Sequence, residues 1–135
     1  MGGFEKYAII NRNRILRAYF LVKSISKEGN HGVAKYCDVK ITVLKKLEVG
    51  NIHEEFASEG VHTTCIKYRE GQEYISKACN KPEGFCSWAW TGIQDKVVFL
   101  ALGHDYPWIK QKGTEIFCCA DGLHPVLYKL ERIDK

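Results

Sequence analysis

Between Phe85 and Leu102, apolar residues return at steps of three and four: Phe85, Trp88, Ala89, Ile93, Val97, Leu100 and Ala101. Ser87, Thr91, Gln94 and Asp95 share another face, so the spacing predicts an amphipathic helix over 85–102. Gly103 is placed to stop it. A helix with one apolar stripe must lay that stripe on a partner surface, and most other patterned stretches read as strand. Val39, Ile41 and Val43 alternate with Lys40, Thr42 and Leu44, a period of two rich in β-branched residues. Residues 114–120 and 123–133 are two further β-rich runs, joined by Asp121-Gly122, a strong hairpin signal. Pro125 lacks an N–H and puts the start of the second run at a sheet edge. The expected fold class is α+β: a small, mostly antiparallel sheet or partial barrel, one main helix (about 85–102) and a C-terminal hairpin.

Shorter signals fill the gaps. Gly50-Asn51 ends the first strand, and Asn51 is placed to cap a short helical turn with Glu54 at the capping-box position and Phe56 facing inward. Gly60 breaks that turn. Residues 65–68 and 73–76 read as extended pieces around the glycine turn Arg69-Glu-Gly-Gln72. Tyr106-Pro-Trp108 makes an aromatic loop.

A chain of 135 residues has room for one domain with a core of its own. The net charge of +4 is unevenly spread. Residues 1–36 carry seven Lys/Arg against two Glu, whereas 37–135 carry 13 Lys/Arg against 14 Asp/Glu. The chain therefore divides into a basic N-terminal extension, 1–36, and a near-neutral domain, 37–135, for which bulk charge indicates no nucleic-acid partner. Within the extension, Tyr7, Ile9, Ile10, Ile15, Leu16, Tyr19, Phe20 and Val22 are interleaved with basic residues, a spacing that allows a basic amphipathic helix over 4–25. Lys27-Glu-Gly29 is encodable by a purine-rich ribosome-binding run, and Val33 follows at start-codon distance. On that basis the natural protein is expected to start near Val33, an expectation that mass-spectrometric mapping of the native N-terminus decides. No apolar run reaches the roughly 18–20 residues of a membrane span.

Six cysteines are many for this length. Arg12, Arg14 and Arg17 interrupt the apolar residues near the start, so the segment lacks a signal-peptide shape. A cytoplasmic setting with reduced thiols is the expectation, which makes the cysteines candidates for ligands, nucleophiles or core residues.

Three runs, Gly84-Phe-Cys-Ser-Trp-Ala-Trp90, Pro107-Trp108 and Cys118-Cys-x-Asp-Gly-Leu-x-Pro-Val126, resemble a family of small prokaryotic proteins. The similarity extends from about Val39 to Ile133, taking in Gly71-Gln72-Glu73 and Lys129-Leu-Glu-Arg132. It implies no activity. His124 stands where that pattern carries a basic residue, often Arg, which removes the expectation of an anion-holding role there.

The chemistry must then come from the residues. Cys86 falls at the start of the predicted helix, where free N–H groups and the dipole favour a thiolate, so it is the candidate catalytic nucleophile. Cys118 and Cys119 are neighbours on a strand and point to opposite faces, so one of them can meet Cys86. With Cys65, these form a candidate metal set of Cys65, Cys86, Cys118 and Cys119, suited to zinc or an iron–sulfur cluster. His104 or His124 could pair with a thiol as base. Trp88, Trp90, Trp108 and His124 could line an apolar pocket, although Trp88 and Trp90 cannot share one helix face. Two functions compete: a thiolate site (metal-binding, cluster-binding or redox-active) and a non-catalytic module binding a small molecule or a protein. An open sheet edge would also permit a homodimer.

Overall fold

The computed structural model describes residues 35–133. The readings of 4–25 as an amphipathic helix and of a start near Val33 lie outside them. Val39, Ile41 and Val43 need burial on one side, and β1 (Asp38–Lys46) supplies it from the interior of a four-stranded sheet. Strand order is β2-β1-β4-β3, with β2 (Glu73–Ser76), β3 (Thr114–Cys118) and β4 (Val126–Ile133). Every neighbouring pair is antiparallel, and the sheet stays open rather than curling into a barrel. The register slips between Val43 and Lys45, which leaves Leu44 at the bulge, part-exposed.

One face of the sheet carries Val39, Ile41, Val43, Val126, Tyr128 and Leu130, all fully buried. The main helix, α2 (Ser87–Ala101), covers it with Ala89, Trp90, Ile93, Val97, Leu100 and Ala101. The helix lies close to the backbone beyond β3: a Cβ on Gly92 would sit 3.6 Å from Ala120 N. It ends where expected, with Gly103 at φ +90° donating its N–H to the Leu100 carbonyl at 2.9 Å. The other sheet face is polar at its centre, where Lys40 reaches both Glu73 and Glu131 at 3.3 Å.

Six expectations are corrected. The buried stripe includes Trp90 and excludes Trp88, because position 90 lies three residues before Ile93 whereas position 88 lies five before it. Trp88 is 71% exposed and Trp90 only 8%. In the short helix α1 (Asn51–Phe56) the cap is Gly50 rather than Asn51, and His53 turns inward while Phe56 is 68% exposed. Residues 65–68 are irregular; only 73–76 is strand. The β3–β4 pair exists, but its last pairing is Cys118↔Leu127, and residues 119–125 form a loop in place of a two-residue turn. Since β4 is an interior strand, Pro125 precedes the ladder and contributes only its carbonyl, which accepts from Leu47 N at 2.8 Å.

Ile93 is fully buried between helix and sheet. Ile93→Ala should cost about 2–5 kcal/mol in urea unfolding, whereas Phe56→Ala should stay within about 0.5 kcal/mol. Equal effects would contradict the assigned burial.

Candidate functional site

Two segments distant in sequence are brought to the start of α2. Cys86 occupies its N-cap in an extended conformation, and its backbone N–H donates to Tyr68 Oη at 2.8 Å. Phe85, just before it, packs on Tyr68, Tyr74, Trp90 and Tyr128 with ring centroids 5.0–6.3 Å apart. This aromatic cluster holds the 65–68 segment against the helix start. From the sheet, Cys119 leaves β3 pointing to the helix side, as Phe117 does two residues earlier. Cys119 Sγ accepts from Val126 N at 3.3 Å.

The result is a cavity of about 40 Å³ whose walls include Cys65, Cys86 and Cys119, the side chains of Tyr68 and Tyr128, and the His124–Asp121 pair. Cys65, Asp121 and His124 also line a second hollow of about 330 Å³, together with Val61, His62 and Ile66. The three shared residues therefore stand between the two spaces.

Asp121 organises the loop. One carboxylate oxygen accepts from Leu123 N at 2.9 Å and His124 N at 3.1 Å; the other lies 3.0 Å from His124 Nδ1. A carboxylate can only accept, so Nδ1 carries the proton and Nε2 keeps its lone pair. Burial alone would raise the Asp121 carboxyl, but the His124 ring and the two backbone N–H groups outweigh it and lower its pKa. His124 also packs edge-on against His53 at 5.6 Å, and His53 Nε2 lies 2.7 Å from the His62 carbonyl.

Two tyrosines share the cavity wall with the thiols. Burial pushes Tyr68 up to about 12, and burial with the neighbouring Tyr68 raises Tyr128 further. Both therefore stay protonated at neutral pH. Tyr128 is wholly buried, and its hydroxyl has no partner in hydrogen-bond geometry among the described residues; the Tyr68 hydroxyl is near enough to influence it without making that geometry.

The sequence candidates separate accordingly. Cys65, Cys86, Cys119 and His124 come together. Cys118 points to the opposite sheet face, paired with Leu127, and burial followed by the adjacent Cys119 pushes its thiol up. Trp88 reaches the cavity wall, Trp90 is core, and Trp108 is 71% exposed in a separate stack with Tyr106 and Phe99. His104 joins that stack, facing Phe99 at 4.8 Å, away from the thiols. All six cysteines are free, and no three His, Cys, Asp or Glu side chains among the described residues group closely enough to hold a metal ion. Tyr68 and Tyr128 were missed by sequence reasoning. Tyr128 alternates in phase with Val126 and Leu130, which signals burial but not a place on the cavity wall.

Because the folded Asp121 pKa lies below its unfolded value, its contribution to stability is present above about pH 4 and fades as pH falls through the folded pKa. The urea-stability gap between wild type and Asp121→Asn should thus shrink from pH 6 to pH 3. A gap that grows over that range would contradict the assignment.

Compared with protein-family models, with curated proteins and with solved structures, the chain matches none of them.

Proposed function

We propose that this chain is a thiol-redox domain. Cys119 and Cys86 exchange between dithiol and disulfide across the small cavity, Cys65 stands beside them, and His124 Nε2 moves the proton. The observation that carries the reading is the convergence of three free thiols and a carboxylate-oriented imidazole on one cavity. Catalytic cysteines require a base whose orientation is fixed by a third group, and the Asp121–His124 pair has that form. The segments that carry the resemblance to small prokaryotic proteins supply Cys86, Trp88, Cys119, Asp121 and Val126, all of them cavity residues. The reading places the protein in the cytoplasm, where reduced thiols persist. No helix among the described residues is long and apolar enough to cross a membrane.

The thiolate and imidazole donor types of Cys65, Cys86, Cys119 and His124 would also suit zinc or an iron–sulfur centre, but their spacing among the described residues does not, so this reading ranks second. One equivalent of zinc or iron in anaerobically purified protein would replace the redox reading with this one.

Treatment with diamide, followed by non-reducing peptide mapping, should give one intramolecular disulfide linking Cys119 to Cys86 or Cys65. Cys119→Ser should abolish it and Cys118→Ser should leave it. A disulfide through Cys118, or six thiols left unpaired, would overturn the reading.

A further inference from the structure

Tyr128 poses a question that packing does not answer. Its side chain is completely buried, yet its hydroxyl makes no hydrogen bond of good geometry among the described residues, although the Tyr68 hydroxyl stands close by, and the residue lines the cavity shared by Cys65, Cys86 and Cys119. A buried hydroxyl without a well-formed hydrogen bond costs stability, so a phenylalanine would serve the core better. Tyr68 Oη, on the same wall, accepts from Cys86 N and keeps its own O–H free to donate. Two phenols held in the protonated form thus stand beside sulfur in a space of about 40 Å³. At roughly 10–15 Å³ for each water-sized group, that space admits a head of about three or four heavy atoms. The adjoining hollow of about 330 Å³, with Val61 and Ile66 in its wall, can take an apolar body.

We propose that the cavity binds and reduces a hydroperoxide, with Cys119 as the attacking sulfur, Tyr128 and Tyr68 as donors to the departing oxygen, and Cys86 as the resolving thiol. The idea rests on the thiol-redox reading and names its substrate class. Cys119 is assigned the attack because its Sγ accepts the Val126 N–H at 3.3 Å, a donor that remains in place when the thiol, 4.0 Å from the His124 carbonyl, gives up its proton. The thiolate attacks one peroxide oxygen, the O–O bond breaks, and Cys119 becomes a sulfenic acid. The other oxygen leaves as an alcohol or as water, taking its proton from a tyrosine O–H, and the proton released by the thiol restores that tyrosine through His124. Cys86 then attacks the sulfenic sulfur, giving a disulfide and one water. Two equivalents of a small-molecule thiol return the dithiol for another cycle. The carbon skeleton, where there is one, stays in the larger hollow.

The test uses the full chain in single turnover, following sulfenic acid and disulfide formation by mass spectrometry. The oxidants are hydrogen peroxide, tert-butyl hydroperoxide and, as a non-peroxide control, diamide. Tyr128→Phe should slow oxidation by both peroxides at least about tenfold, the scale of a lost proton donor, and leave the diamide rate unchanged. Sulfenic acid should be trapped by dimedone at Cys119 in Cys86→Ser. Unchanged far- and near-ultraviolet circular dichroism confirms that the variant folds, as expected when a hydroxyl without a well-formed hydrogen bond is removed. Equal slowing by peroxide and diamide would reduce Tyr128 to a structural role and overturn the proposal. Disulfide formation with diamide but not with either peroxide would overturn it while leaving the thiol-redox reading intact. Failure of all three oxidants would end both.

Discussion

The bond from Cys86 N–H to Tyr68 Oη is the contact on which the arrangement at this site depends. It ties the first residue before a long helix to an irregular segment that no sheet hydrogen bonds fix in place. A helix start leaves backbone donors unsatisfied, and here a phenol from a remote loop satisfies one of them. Once Tyr68 is held there, Phe85, Tyr74 and Tyr128 close around it at 5.6–5.9 Å. Cys65, three residues earlier, is carried to the same cavity as Cys86. The aromatic cluster is therefore both a part of the core and the device that gathers the sulfurs.

The hairpin side depends on Asp121. The dipeptide Asp121-Gly122 looks like a tight turn, and a tight turn would have continued β3 and β4 to their tips. The carboxylate instead caps Leu123 N and His124 N, which opens the loop and turns His124 back over Cys119. A loop of this kind sacrifices two or three ladder bonds and gains an imidazole of fixed tautomer next to a thiol. Cys118 and Cys119 then illustrate how strand alternation divides two identical side chains: one enters the cavity, the other is left beneath the sheet.

Much of this was legible in the residues. The alternation of Val39, Ile41 and Val43 and the three-and-four spacing through Ile93, Val97 and Leu100 specify a sheet with a helix on it, because burial enforces both periods. The convergence of Cys86 with one of the two adjacent cysteines follows from the same alternation. Periodicity could not say which tryptophan faces inward without the helix's exact phase, and a shift of two residues exchanged Trp88 for Trp90. It could not show that Phe56 is exposed, since a six-residue helix has too few turns to display a stripe. Nor could it find Tyr68, whose role arises from a contact across 18 residues. Trp108 and His104 carried the right residue types and sit in another aromatic stack, because composition says nothing about which loops meet.

The central claim is that Cys65, Cys86 and Cys119, and not Cys118, share one interior space. Phenylarsine oxide, a trivalent arsenical that bridges neighbouring thiols, reads this directly when its uptake is counted by intact-protein mass spectrometry. One arsenical per chain, lost when Cys65, Cys86 and Cys119 are all replaced by serine and retained in Cys118→Ser, is the predicted result. Uptake that depends on Cys118, or no uptake by the reduced protein, would contradict the account.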